Sequence, residues 1–147
     1  MSDRESITRL PIIVLGVVGS DVHCVANQLL ERELRNRKIS FNNLGVAVQP
    51  SEFLEAIKEP NKTVILIGTL NGDIEPALET IRLLRHRFGT EIPIIVGGNL
   101  ILGSHGRNRT LDLRTTGASL ILGNCSSIEE VVDRVVEFIS NSVLVNI

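Results

Sequence analysis

The sequence predicts an α/β fold in which a parallel sheet is covered by helices on both faces. Short β-branched runs without polar residues, such as Pro11–Val18, are typical of strands that are buried on both sides. Each run is followed by a segment with helical spacing of its apolar residues, and this alternation occurs five times in 147 residues. Strict alternation of strand and helix indicates parallel strands joined by right-handed crossovers.

The first half of the chain supplies two strand–helix units. Pro11–Val18 is the first strand, and Val25–Lys38 is the helix after it. One face of this helix is expected to be buried, because its apolar residues recur at helical spacing. That face carries Val25, Leu29, Leu30 and Leu34. Ser40–Val46 is the second strand, and Ser51 is expected to cap a helix that continues to Lys58.

The third unit begins with the strand Thr63–Ile67, and its helix runs from a cap at Asp73 to about Phe88, with Gly89 as the stop signal. The two remaining units follow the same pattern. Their strands are Pro93–Val96 and Ala118–Leu122, and their helices are Leu111–Thr116, stopped by Gly117, and a last helix opened by the capping box Ser127–Glu130. The last helix is expected to bury Val131, Val132, Val135, Val136 and Ile139.

Five such units in a chain of this length fit a single domain, residues 1–147 with a core of about 11–140, built on a doubly wound, flavodoxin-like sheet in the order 2-1-3-4-5. Ligands of such sheets bind outside the carboxyl ends of the strands. The loops at that edge are Gly19–Cys24, Gly68–Gly72, Gly97–Gly103 and Gly123–Cys125.

Composition excludes several classes of function. The chain has only 3% aromatic residues and a net charge of −2, so it offers neither the stacking rings nor the basic surface of a nucleic-acid-binding protein. Its apolar runs are too short to span a membrane, and Met1–Ser6 has no apolar signal region. Two distant cysteines, Cys24 and Cys125, agree with free thiols and a cytoplasmic location.

The loop after the first strand carries the clearest chemical pattern. It does not match the glycine fingerprint of dinucleotide-binding proteins, and the third strand ends without the aspartate of a phospho-receiver. Asp21 and His23 instead form a D-x-H pattern, in which the carboxylate can hold the Nδ1–H of the imidazole and leave Nε2 for a metal or a proton. Alone, such a pair can also be an ordinary surface feature.

Two longer stretches, Ile13–Asn27 and Ile95–Gly103, resemble the B12-binding domain family, with its motif D-x-H-x-x-G, S-x-L and G-G. Within that family the chain is similar to the small, cobalamin-binding subunits of glutamate mutase (methylaspartate mutase). The similarity extends in the same order and spacing from about Pro11 to Phe138. It implies a Rossmann-like B12-binding domain that holds adenosylcobalamin for a carbon-skeleton mutase of the glutamate-to-3-methylaspartate type.

The resemblance also implies a role for individual residues. His23 would be the lower axial ligand of cobalt in the base-off, His-on form, and Asp21 would hydrogen-bond to it. The nucleotide tail would enter a slot between the sheet and the flanking helices. The cofactor-binding residues implied in this way are Ser20, Asp21, Val22, His23, Cys24, Gly68, Thr69, Leu70, Gly97, Gly98, Asn99, Leu100, Ile101 and Gly123. A large barrel-type mutase subunit would be the partner, and no residue of this chain would act directly on the substrate.

Two positions depart from the family motif and keep an alternative open. Ala26 replaces the motif glycine after the histidine, and Gly68 replaces the serine of S-x-L, whose hydroxyl Thr69 could supply instead. The alternative is a module that kept the fold with weak or no cobalamin binding and acts as an interaction or regulatory protein. A corrinoid carrier for methyl transfer is a third class, although such carriers usually have an extra N-terminal helical bundle.

Other candidate residues have simpler interpretations. His23, Cys24 and Cys125 could suggest a zinc site, but a fourth ligand is not evident and two separate thiols are the plain interpretation. A basic stripe on the third helix is interpreted as a solvated face, with an acidic partner as the alternative. It comprises Arg82, Arg85, His86 and Arg87. The loop residues His105, Arg107 and Arg109 could meet a partner or an anion, and the apolar end Val143–Ile147 could pack on the domain or on another chain.

Overall fold

The computed structural model describes residues 11–19, 24–69, 73–98, 110–123, 125 and 127–143. These residues form five strands and five α-helices in alternation. In chain order they are β1 (Ile12–Val17), α1 (Val25–Asn36), β2 (Phe41–Asn43), α2 (Pro50–Ala56), β3 (Thr63–Thr69), α3 (Glu75–Phe88), β4 (Ile94–Gly98), α4 (Thr110–Thr116), β5 (Leu120–Leu122) and α5 (Ile128–Val143). All strand pairs are parallel and the order is β2-β1-β3-β4-β5. The predicted α/β fold and sheet order are confirmed.

The sheet separates two apolar cores, because successive side chains of a strand point to opposite faces. On one face the strands pack against α2, α3 and α4, whose fully buried residues include Phe53, Ile81 and Leu113. On the other face they pack against α1 and α5, through Leu34 and Val135 among others. Because helices cover both faces of the sheet, the sequences of the strands are continuous apolar runs.

The predicted strand Ser40–Val46 is too long, since β2 comprises Phe41–Asn43 alone. Beyond it, Gly45 has φ 92° and Ala47 has φ 53°, both outside the extended region that a strand requires. Pairing resumes only as a single bridge between Val18 and Val48. The apolar sequence after Asn43 therefore forms a turn against the sheet edge and does not continue the strand.

Two helix starts differ from the predicted caps. At α2 the cap is Gln49 and not Ser51: the Glu52 side chain accepts a hydrogen bond from the Gln49 N–H (3.1 Å), and Pro50 fills the first helical position. At α3 the helix begins at Glu75, and Asp73 acts two residues earlier by accepting a hydrogen bond from the Glu75 N–H (3.1 Å). The predicted stop of α3 at Gly89, with φ 77°, is confirmed.

The predicted buried face of α1 is partly wrong. Val25 is 68% exposed and Leu29 is 46% exposed, whereas Leu34 is buried and Leu30 is partly buried. Val25 and Leu29 therefore lie on a side of α1 that does not contact the sheet, whereas Asn27 and Leu34 are buried against it. In α5 the predicted cap holds, because Ser127 Oγ accepts a hydrogen bond from the Glu130 N–H (3.1 Å). Within the described ranges, no helix combines the length and apolarity that crossing a membrane requires.

Arg85 joins the end of α3 to the segments before β4 and β5. Its guanidinium donates hydrogen bonds to the carbonyls of Gly89, Ile92 and Gly117 and to Ser119 Oγ, at distances between 2.7 and 3.2 Å. Partial burial lowers the pKa of Arg85. The predicted basic stripe is therefore interrupted, since Arg85 points inward and the other three basic residues of the stripe do not share these contacts.

We expect Arg85→Met to lower the free energy of unfolding by about 3 kcal/mol, because three carbonyls and a hydroxyl lose their donor. Urea denaturation measures this difference. The control is Arg82→Met on the exposed face of the same helix, which should change stability by less than about 0.5 kcal/mol. Equal effects of the two substitutions would show that the Arg85 contacts do not stabilise the fold.

Candidate functional site

The carboxyl ends of the central strands contain a gap in the layer of side chains. Val17, Gly68, Gly97 and Leu122 pair side by side in one row across β1, β3, β4 and β5. All four positions face α1 and α5, because they lie two residues beyond core residues of that face such as Leu15 and Leu120. The two glycines leave a hollow in the middle of the row, between Val17 and Leu122.

The hollow opens into a cavity of about 290 Å³ between the sheet and the two helices α1 and α5. The helical side of the wall comprises Ala26, Asn27 and Leu30 of α1, Ile128 and Val131 of α5, and Cys125 just before α5. Asn27 and Cys125 carry the only polar side chains among the described lining residues. The cavity is therefore an apolar slot that begins at the edge of the sheet where ligands of doubly wound folds bind.

Both polar side chains of the wall are already held by neighbours. The Oδ1 of Asn27 accepts a hydrogen bond from Asn43 Nδ2 (2.7 Å), and Asn43 Oδ1 accepts one from the Gly45 N–H (2.9 Å). The Sγ of Cys125 accepts a hydrogen bond from Arg134 Nη1 (3.7 Å). The bond from Asn43 uses one lone pair of Asn27 Oδ1, so the Asn27 amide can still donate through Nδ2 and accept through Oδ1 toward a ligand.

Arg37 holds the two helices of the cavity together. From the end of α1 it donates to Asp133 Oδ1 (2.7 Å) and to the carbonyl of Glu129 (3.2 Å), both on α5, and to Glu33 Oε2 (3.2 Å) on its own helix. The hydrogen bond to Asp133 raises the pKa of Arg37. Because one guanidinium bonds to both helices, it helps to fix the spacing of α1 and α5 across the cavity.

Gly98 brings the ends of β3 and β4 into close contact. Its φ is 115°, and a Cβ at this position would collide with the backbone carbonyl oxygen of Thr69. The Thr69 side chain lies on the opposite face of the sheet from the cavity, since it follows Gly68 in the strand. Its Oγ1 is buried and has no hydrogen-bond partner within the described part of the chain, which leaves one polar atom unsatisfied at this edge.

The structure places the predicted site residues in three groups. Gly68, Gly97 and Gly98 line the cavity. Cys24 is exposed just before α1, and Gly123 lies half-buried after β5; neither lines the cavity, and neither does Thr69. The others lie outside the described residues, namely Ser20, Asp21, Val22, His23, Leu70, Asn99, Leu100, Ile101 and, in the next loop, His105, Arg107 and Arg109.

Most residues of the cavity wall were not predicted from the sequence. Leu30 and Val131 were assigned to an ordinary core face, and the roles of Asn27 and Ile128 were not anticipated. The predicted sheet order does indicate where the cavity lies, because Gly68 and Gly97 are at matching positions in strands predicted to be neighbours. Among the described residues no group of three or more His, Cys, Asp or Glu is placed to hold a metal ion.

Residues 11–113 match the B12 binding domain family. The chain belongs to this family. Relatives of this B12-binding domain include the glutamate mutase sigma subunit of Escherichia coli O157:H7, which is 35% identical over 95 residues; the match covers 63% of each chain. A glutamate mutase sigma subunit 2 of Haloarcula marismortui is 29% identical over 122 residues, or 82% of each chain. The chain is thus a cobalamin-binding domain related to glutamate mutase sigma subunits, and the first of these matches spans less than two thirds of the relative's length.

The three-dimensional structure of this B12-binding domain is also similar to that of a solved protein. A cobalamin-binding protein from Desulfitobacterium hafniense DCB-2 superposes with a TM-score of 0.67 and 17% identity, over 88% of this chain and 60% of that one. At this identity the similarity establishes the shared fold. The interpretation of the cavity therefore depends on the residues that line it.

We expect Gly98→Ala to lower the free energy of unfolding by about 2 kcal/mol or more, because the added methyl meets the Thr69 backbone and the backbone angle is unfavourable for alanine. Thermal or urea unfolding measures the loss. Gly68→Ala is the matched control: its Cβ would lie 3.4 Å from Val17 Cγ2, an ordinary contact, so stability should change by less than about 1 kcal/mol. A mild effect at Gly98 would contradict the close approach of β3 and β4.

Proposed function

We propose that this chain holds cobalamin by taking the nucleotide tail into the cavity between the sheet and helices α1 and α5. The observation that carries the proposal is the paired absence of side chains at Gly68 and Gly97, directly beneath the two helices. A close-packed sheet would fill this row, and here the row opens at the edge that binds ligands in this fold. Membership in the B12-binding domain family supports cobalamin as the occupant.

The residues present fit a cobalamin tail. A Cβ at Gly68 would lie 3.4 Å from Val17 Cγ2, and one at Gly97 would lie 3.5 Å from Leu122 Cβ, so any longer side chain would extend into the cavity. Small-molecule sites commonly occupy about 300–1,000 Å³. A cavity of about 290 Å³ suits one bicyclic base and part of its sugar, which leaves the corrin ring outside, at the edge of the sheet.

His23 would hold the cobalt of the cofactor, and Asp21 would hold the imidazole ring of His23. A neutral imidazole ligates through Nε2 while Nδ1–H donates to a carboxylate, and this partner fixes the tautomer and strengthens the donor nitrogen. The apolar wall would exclude water from the tail. Bound adenosylcobalamin supplies a weak cobalt–carbon bond, the source of the radical chemistry of carbon-skeleton mutases.

We further propose that the chain works with a large barrel-type mutase subunit in the isomerisation of glutamate to 3-methylaspartate. The relatives are named as sigma subunits of glutamate mutase, which supports a second subunit. Val25, Leu29 and Leu111 are large, exposed apolar residues near the starts of α1 and α4, which follow the ligand-binding edge of the sheet. In this scheme the partner supplies the substrate contacts, and this chain holds the cofactor.

We expect the chain to change the absorption spectrum of adenosylcobalamin to the base-off, His-on form, and His23→Ala to abolish that form. Spectrophotometric titration measures both results. The control is His86→Ala, because His86 is exposed on α3 and should leave the spectrum unchanged. An unaltered spectrum in His23→Ala would show that His23 is not the cobalt ligand.

A parent chain that gives no spectral change would contradict the proposal. In that case the alternative, a module that has lost cobalamin binding, predicts that Ala26→Gly together with Gly68→Ser restores affinity. Ala26 lines the cavity, so its methyl group is positioned to limit the space for a tail.

We expect Gly97→Leu to weaken cobalamin binding about 100-fold or more, because its side chain would fill the space between β4 and the helices, where the tail would lie. Equilibrium dialysis with adenosylcobalamin measures the dissociation constant. Gly97→Ala is the matched control and should bind far better than Gly97→Leu, since its Cβ reaches only ordinary contact distance. Circular dichroism checks that both variants fold, and equal affinity of the two folded variants would place the tail elsewhere.

A further inference from the structure

We propose that Asn43, which does not line the cavity, is a positioning residue that sets the direction of the Asn27 amide in the cavity wall. This inference rests on the proposed function, because its consequence is a change in cobalamin affinity. Asn27 lines the cavity and is only 7% exposed. One end of its amide is a donor and the other is an acceptor, so turning the amide over changes what it offers to a ligand.

Asn43 contacts Asn27 from the edge strand β2. It pairs with Leu15 of β1, so its side chain lies on the face of the sheet that α1 and α5 cover. There its Nδ2 donates hydrogen bonds to Asn27 Oδ1 (2.7 Å) and to Glu31 Oε1 (3.3 Å). Its Oδ1 accepts a hydrogen bond from the Gly45 N–H (2.9 Å). The amide of Asn43 therefore connects α1 to the turn after β2.

The two outer partners of Asn43 fix the direction of this hydrogen-bond network. The Gly45 N–H only donates, so the Asn43 atom that faces it is the oxygen. The carboxylate of Glu31, which also forms an ion pair with Arg35 (3.8 Å), only accepts, so the Asn43 atom that faces it is the nitrogen. That same nitrogen must meet the oxygen of Asn27. The Asn27 amide is thereby held in one orientation, with Nδ2 at the end that points away from Asn43.

This orientation matters because Asn27 lines the cavity and Asn43 does not. The end of the amide that points away from Asn43 is therefore the end available to a ligand, and in this orientation that end is the N–H donor. A nucleotide tail carries acceptor atoms in its phosphate, its sugar and its base. Asn43 thus acts on the ligand through Asn27, by keeping a donor in place for one of these acceptors.

The substitution Asn43→Asp keeps the shape of the side chain and replaces its donor by an acceptor. Asn27 Oδ1 would then face a carboxylate oxygen across the 2.7 Å contact, so we expect the amide to turn over and donate to that oxygen. Cobalamin binding should weaken about tenfold, because the ligand loses one hydrogen bond. Equilibrium dialysis of the full chain with adenosylcobalamin measures the dissociation constant.

The control is Asn42→Asp, which adds the same charge at the neighbouring, exposed position of β2 and should leave the affinity unchanged. Unchanged affinity in Asn43→Asp, with cobalamin still bound by the parent chain, would overturn the inference and leave the proposed function standing. Absence of binding by the parent chain would overturn both.

A double-mutant cycle tests whether Asn43 acts through Asn27. We expect Asn27→Ala alone to weaken cobalamin binding about tenfold. Adding Asn43→Asp to it should cause no further loss, because the amide that Asn43 positions is then absent. Losses that multiply to about 100-fold in the double variant would contradict a positioning role.

Repulsion between the new carboxylate and Glu31 is a competing explanation for a loss of affinity, and Glu31→Gln removes it. We expect the combination of Glu31→Gln and Asn43→Asp to bind as weakly as Asn43→Asp alone, and a return to the parental affinity would overturn the inference. NMR of the isotope-labelled Asn27 side-chain amide, recorded without cobalamin, gives a second readout. Its proton signals should move downfield in Asn43→Asp and not in Asn42→Asp, and unmoved signals in Asn43→Asp would show that the amide does not turn over.

Discussion

The organisation of this domain depends on one constraint in the sheet: two neighbouring strands lack side chains at paired positions, Gly68 and Gly97, on the face covered by α1 and α5. The flanking residues Val17 and Leu122 have side chains, so the gap is narrow and is bounded on both sides. Protein interiors are normally packed without voids of this size. The helices can span the gap because they rest on the filled row below it, which includes Leu15, Leu66 and Ile95.

The contacts around the gap favour a preformed cavity. Arg37 connects α1 to α5 through Asp133 and the Glu129 carbonyl, and the Asn27–Asn43 bond holds α1 against the end of β2. Each contact limits how far the helices can close on the hollow. A ligand that enters a preformed cavity spends less of its binding energy on ordering the protein.

The sheet order and the ligand-binding edge could be predicted from the sequence, because strand–helix alternation restricts the topology to few choices. The prediction that Val25 and Leu29 of α1 are buried was wrong, since helical spacing shows an apolar face without showing how much of that face contacts the sheet. Val25 is the clearest case. The hydrogen bonds of Arg85 were also not predicted. Its acceptors at Ile92 and Gly117 are backbone carbonyls, and because every residue has one, the sequence does not indicate which of them is bonded. Gly68 and Gly97 were found, but the cavity above them required the positions of two helices.

The two faces of the sheet contribute separately, one to the stability of the fold and the other to the cavity. The face packed by α2, α3 and α4, with Arg85 at its far end, contains little of the cavity wall, whereas the face packed by α1 and α5 contains most of it. Distant sites with no shared partners contribute additively to stability. Mutations on the first face can therefore raise the free energy of unfolding during evolution or engineering. This added stability offsets the stability that is lost when mutations on the second face change which ligand the cavity binds.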